Sequence, residues 1–200
     1  MSVKPLENLN RAMVNAFGGA QSYLVLGRGT TLGAGVRHLH IFNPSDSKMV
    51  LMVHDIRVVN LTTAALAGTA EEFEVRRTTL APDTGGTNLT PFKFNSRQAD
   101  LHVGATVIAT AVGATGVTMK RGGTVAGGAS EEAIFPIVIG TDEVTPTTAG
   151  QTGADLMFPF GFGVGPFDLN PNEGLTVVQI DAGTLGELAW WFAYSVLPIT

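Results

Sequence analysis

The closing stretch, Phe167 to Leu197, limits what this chain can fold into more than any other. It reads FDLNPNEGLTVVQIDAGTLGELAWWFAYSVL. Leu175 to Ile180 is rich in β-branched residues and Glu187 to Leu197 in aromatic ones, with Asp181, Gly183 and Gly186 between them as turn material. The pattern predicts a β-hairpin. Two strands this apolar need a facing sheet, because an isolated hairpin is marginal in water. Alternation then sorts the second strand: Leu188, Trp190, Phe192, Tyr194 and Val196 share one face, and Ala189, Trp191, Ala193, Ser195 and Leu197 the other. The first set makes a core face. The second is small and weakly polar, with Trp191 its one large group, which marks Trp191 as a candidate protein contact or, alternatively, a sugar platform.

The rest of the chain supplies the facing sheet. Residues 5 to 17 are the one helix candidate: Pro5 suits a first turn, Leu6, Leu9, Met13 and Phe17 fall on one face, and Gly18 and Gly19 end it. So short an amphipathic helix must dock, either on its own sheet or as an arm on a neighbouring subunit, so these four residues join Trp191 as candidate interface residues. Strand patterns follow in Ser22 to Gly27, Val36 to Asn43, Met49 to Asn60, Glu71 to Leu80 and Ala133 to Gly140, where Pro136 points to an edge or a bulge. Eight to ten strands are expected. Helices do not alternate with them and no repeat is visible, which excludes a parallel α/β sheet, a propeller and a solenoid. The expectation is an all-β antiparallel sandwich, a jelly roll by economy, over residues 22–200, preceded by a helix or arm at 1–21.

Only 14% of the residues are charged, so little polar surface is available to keep a lone monomer soluble, and homo-oligomerisation or docking onto another protein is expected. A net charge of −5 argues against nucleic acid as a partner, which demands a basic patch. Arg76, Arg77, Lys120 and Arg121 read as solvated strand ends. Without cysteine there is neither a disulfide framework nor a thiolate nucleophile. No unbroken apolar run suggests a signal peptide or a membrane span.

The search for chemistry yields little. His38 and His40, two apart on a strand, should project from one face and are the one pair to test for metal, but no carboxylate follows them at metal-ligand spacing as in the cupins. Glu131 and Glu132 read as a solvated strand end and not as an acid and base. Gly122, Gly123, Gly127 and Gly128 do not open a helix after a strand, as a phosphate-binding loop must. No catalytic residue, metal site or cofactor is expected, and the chain is read as not an enzyme.

The run RHLHIFNPSDSKMVLMVHDIRVVN, followed much later by LNPNEGLTVVQ and an aromatic closing strand, resembles the jelly-roll cement or decoration proteins of tailed bacteriophages from about Ser22 to Leu197. The resemblance implies a structural virion protein, commonly a homotrimer, made in the host cytoplasm. It would sit on the capsid surface and clamp the shell of the major capsid protein, with no nucleic acid or membrane partner. The N-terminal helix would match the arm some such proteins extend. The alternative is a phage fibre, spike or receptor-binding module that uses the same fold to hold sugar or a host protein.

Overall fold

The computed structural model describes residues 21–29, 33–60, 71–93, 117–139, 156–159, 167–182 and 188–198. Among them are twelve strands: β1 (Gln21–Gly29), β2 (Arg37–Asn43), β3 (Met49–Asn60), β4 (Glu71–Thr79), β5 (Thr87–Asn88), β6 (Phe92–Lys93), β7 (Thr118–Arg121), β8 (Ser130–Ile139), β9 (Leu156–Pro159), β10 (Phe167–Leu169), β11 (Glu173–Gln179) and β12 (Leu188–Pro198). The expected helix with Leu6, Leu9, Met13 and Phe17 lies outside the described residues.

The strands form two antiparallel sheets of a β-sandwich. In sheet A the order is β10, β3, β12, β1, β6, and β9 follows β10 along the same edge of β3. In sheet B it is β5, β7, β2, β11, β4, β8. Pro136 lies on the edge strand β8, where a missing amide donor costs the ladder least. Alternation puts Phe73 and Val75 of β4 in the core and leaves Glu72 exposed.

The hairpin expectation is corrected. β11 pairs with β2 and β4 in sheet B, while β12 pairs with β1 and β3 in sheet A, so the two closing strands face each other across the core. The Asn-Pro turn after β2 also changes sheets, since β3 belongs to sheet A. Asn43 holds that corner: its side-chain amide donates to the carbonyls of Met49 (2.8 Å) and Leu169 (3.0 Å). The short turn at 44–48 suffices for this crossing between sheets. Where β1 passes β2, Gly27 is required, because a Cβ there would lie 2.6 Å from the His38 carbonyl oxygen.

The core is built from the inward faces of both sheets. Leu188, Trp190, Phe192, Tyr194 and Val196 are all fully buried, as their alternation predicts. Trp190 packs on Phe73 of the opposite sheet with ring centroids 5.0 Å apart, and Tyr194 stacks on Tyr23 at 5.5 Å. The Tyr194 hydroxyl reaches across to donate to the Met119 sulfur at 3.8 Å. Trp191 is half-buried on the outer face of sheet A, in a cross-strand row between Leu26 and Arg57.

Truncating the two tryptophans should therefore separate core from surface. In urea unfolding of the isolated subunit, Trp190→Ala is expected to cost about 3 to 5 kcal/mol. Trp191→Ala should cost under about 1 kcal/mol. Equal losses would contradict the assignment of faces.

Candidate functional site

The two histidines do not share a face. Along the β2–β11 ladder, Leu39 pairs with Val177 and Arg37 with the next residue, Val178, so His38 is an extra residue. This bulge turns His38 inward, where its ring lies 5.3 Å from Phe73 and 6.2 Å from Trp190. His40 faces outward, fully buried, and its Nε2 accepts the amide proton of Asp83 at 3.2 Å. Burial lowers the pKa of His38 to about 4, against a raising hydrogen bond from Gln179. His40 falls to about 3 through burial, helped by the charges of Arg37 and Lys120. Both imidazoles are neutral at pH 7, and among the described residues no cluster of three or more His, Asp or Glu side chains has metal-binding geometry.

On the outer face of sheet B, side chains distant in sequence form an ionic chain. Arg37, with 3% of its side chain exposed, binds Asp83 through Nε at 2.5 Å and Glu131 through Nη2. The other carboxylate oxygen of Glu131 takes Arg76 Nη1 at 3.3 Å, and Arg76 also pairs with Glu74 at 2.8 Å. Burial raises Glu131, but the hydrogen bonds and charges of Arg37 and Arg76 outweigh it and hold the carboxyl below its ordinary value. At Asp83 burial prevails over Arg37 and the pKa rises. This network fastens the segment after β4 onto the sheet, aided by paired backbone hydrogen bonds between Thr84 and Thr124, both 2.9 Å. Arg76 and Glu131 are thus structural partners, and the expectation of simple solvated strand ends does not hold for them.

A second polar cluster lies beside His38. Gln179 donates its side-chain amide to Glu71 at 2.7 Å and to Asp181 at 3.2 Å, and its Oε1 accepts from His38 Nε2 (3.1 Å) and the Gly33 amide (2.9 Å). Glu71 and Asp181 are themselves hydrogen-bonded. Burial first, then the bond to and charge of Asp181, push Glu71 up to about 7, while the Gln179 bond pulls the other way. Glu71 therefore keeps its proton up to about neutral pH. Alternation signals the cluster, since it puts Glu71 on the face of Phe73 and Val75, and Gln179 on that of Leu175 and Val177.

The outer face of sheet A is apolar over a limited area. Leu24, Leu26, Trp191 and Ala193 are half-buried, and Phe92, beside Leu24, is 61% exposed. Polar residues border it: Arg57 bonds Asp55 at 2.8 Å, and Ser195 bonds both Ser22 (3.0 Å) and His54 (2.8 Å). Trp191 is therefore the one predicted interface residue with a described position, while Leu6, Leu9, Met13 and Phe17 lie outside the described residues. No protein-family model, no curated protein and no solved structure matches this chain.

The carboxyl pair gives a pH signature. Unfolded Glu71 releases its proton near 4.5 and the folded residue near 7, so folding takes up a proton between these values. The stability tied to that proton is fully present below the unfolded value and is lost as pH rises through about 7. The depressed histidines act oppositely, costing stability as pH falls below their unfolded value of 6.5. Comparing variant with wild type isolates the carboxyl. Glu71→Gln, which keeps the hydrogen bonding of a protonated carboxyl, is expected to gain Tm over wild type progressively from about pH 5 to about pH 8. A Tm difference independent of pH would contradict the raised pKa of Glu71.

Proposed function

We propose that this chain is a non-catalytic structural virion protein, a jelly-roll cement or decoration protein that forms a homotrimer and binds the major capsid protein shell. The apolar outer face of sheet A carries the reading. Leu24, Leu26, Phe92, Trp191 and Ala193 form an apolar patch with two large aromatic residues, bordered on the β3 side by the Arg57–Asp55 pair, a composition that suits a protein contact. A chain with so few charged residues has reason to cover it.

Strand order supports the jelly roll. β1 pairs with β12, β2 with β11, β3 with β9 and β10, and β4 with β8, all antiparallel. These four pairings describe one long ribbon. Rolling it brings β12 against β3 and β11 against β4, and both contacts are present. A jelly roll is such a rolled ribbon, and here β5 to β7 are added beyond it, between its fourth and fifth strands.

Light scattering of the purified chain is expected to give about three times the 20.9 kDa of one copy. Trp191→Asp should shift that mass to one copy with an unchanged circular dichroism spectrum, and should remove co-sedimentation with shells of the major capsid protein. A monodisperse wild-type monomer that ignores those shells would overturn the proposal. Binding on a glycan array that Trp191→Ala abolishes would instead indicate a receptor-binding module.

A further inference from the structure

At one end of the sandwich a cleft of about 380 Å³ opens between the segment entering β2 and the turns around β5 and β7. Its size is that of a small-molecule site. The walls are tied together at the base: the Gly122 amide donates to the Arg37 carbonyl at 2.7 Å, and the Gly35 amide to the Gln179 carbonyl at 2.8 Å. Backbone forms much of the surface. A Cβ on Gly35 or Gly122 would meet nothing within 4 Å, so both border open space, whereas Gly86 is pressed to the wall, where its Cβ would lie 2.5 Å from the Arg121 carbonyl oxygen.

The charge of the lining is one-sided. Among the described residues it contains Arg37, His38 and Arg121 and no carboxylate. Arg37 is already answered by Asp83 and Glu131, and His38 is bonded to Gln179. Arg121 is different. It is half-buried, and among the described residues its guanidinium has neither an ion pair nor a hydrogen bond, in a chain whose net charge is −5. A guanidinium offers a planar fork of donors matched to two oxygens of a carboxylate or phosphate. Thr87, opposite Arg121 in the β5–β7 ladder, adds an exposed hydroxyl that is likewise unpartnered among the described residues. Such a fork, partly withdrawn from water beside a glycine-lined recess, is what oxyanion recognition needs.

We propose that this cleft binds a small oxyanion, a carboxylate or phosphate group, held by the Arg121 guanidinium with the Thr87 hydroxyl as a second donor. The site is separate from the sheet A patch and stands whether or not that patch assembles. It also gives the glycines around Arg121 a purpose that a helix-opening phosphate loop does not.

Amide chemical shifts of the full chain, titrated separately with inorganic phosphate and with acetate at constant ionic strength, test this directly. Saturable shifts are expected at Gly35, Gly86, Gly122 and Gly123 with at least one of the two. Arg121→Gln should weaken that binding about tenfold or more, and Thr87→Val should weaken it without changing charge, whereas Lys48→Gln, on a distant turn, should leave it unchanged. A response to phosphate alone marks a phosphorylated ligand, and a response to acetate marks a carboxylate. Should neither anion give saturable shifts, or should well-folded Arg121→Gln or Lys48→Gln variants behave alike, the cleft is no oxyanion site.

Discussion

The structure depends on one arrangement: two consecutive strands, each central in its own sheet, facing each other across the core. β11 is flanked by β2 and β4, and β12 by β1 and β3, so each of the two strands pairs on both of its sides. Backbone donors and acceptors along a central strand find ladder partners on both sides, which is why these two can be so apolar without penalty. Trp190 then joins them to the opposite layer through Phe73. The burial of both layers rests on this crossing.

Polar groups finish what the crossing begins. A buried ion pair is weak evidence of net stability, because desolvation offsets attraction, yet it is specific about geometry. Arg37 bridging Asp83 and Glu131 fixes where the segment after β4 lies on sheet B. Gln179, bridging His38, Glu71 and Asp181, fixes the end of β11 against the start of β4. Because Gln179 also holds the Gly33 and Gly35 amides, the same residue anchors one wall of the cleft at that end of the sandwich. The carboxyl pair, the neutral His38 and the cleft form one connected structure.

Much of this was legible in the sequence, and what was not has a common cause. Period-two alternation is local, so it correctly divides Trp190 from Trp191 and buries Phe73 and Val75, and the missing amide of Pro136 fits the edge strand it occupies. It is blind to which sheet a strand joins. A hairpin and a sheet crossing leave the same alternation on Leu175 to Gln179 and Leu188 to Val196, and the two differ only in long-range pairing. The bulge at His38 fails for the same reason, since one extra residue reverses the face of a side chain and breaks the expected pairing with His40. Arg37 meets Glu131 from 94 residues away, a distance at which strand patterns carry no information. The proposed oligomer and capsid contacts lie beyond this chain, and what alternation offers toward them among the described residues is the half-buried Trp191 on the outer face of sheet A.

Native-state hydrogen exchange, read amide by amide, measures the central claim directly. If β11 and β12 together hold both sheets, their amides should be the slowest in the chain, should exchange only through global unfolding, and should share one opening free energy, while β5, β6 and β9 exchange sooner. Fast exchange of β11 with β12 still protected, or maximal protection in an edge strand such as β8, would show that the sheets open independently and that the crossing is not what holds them.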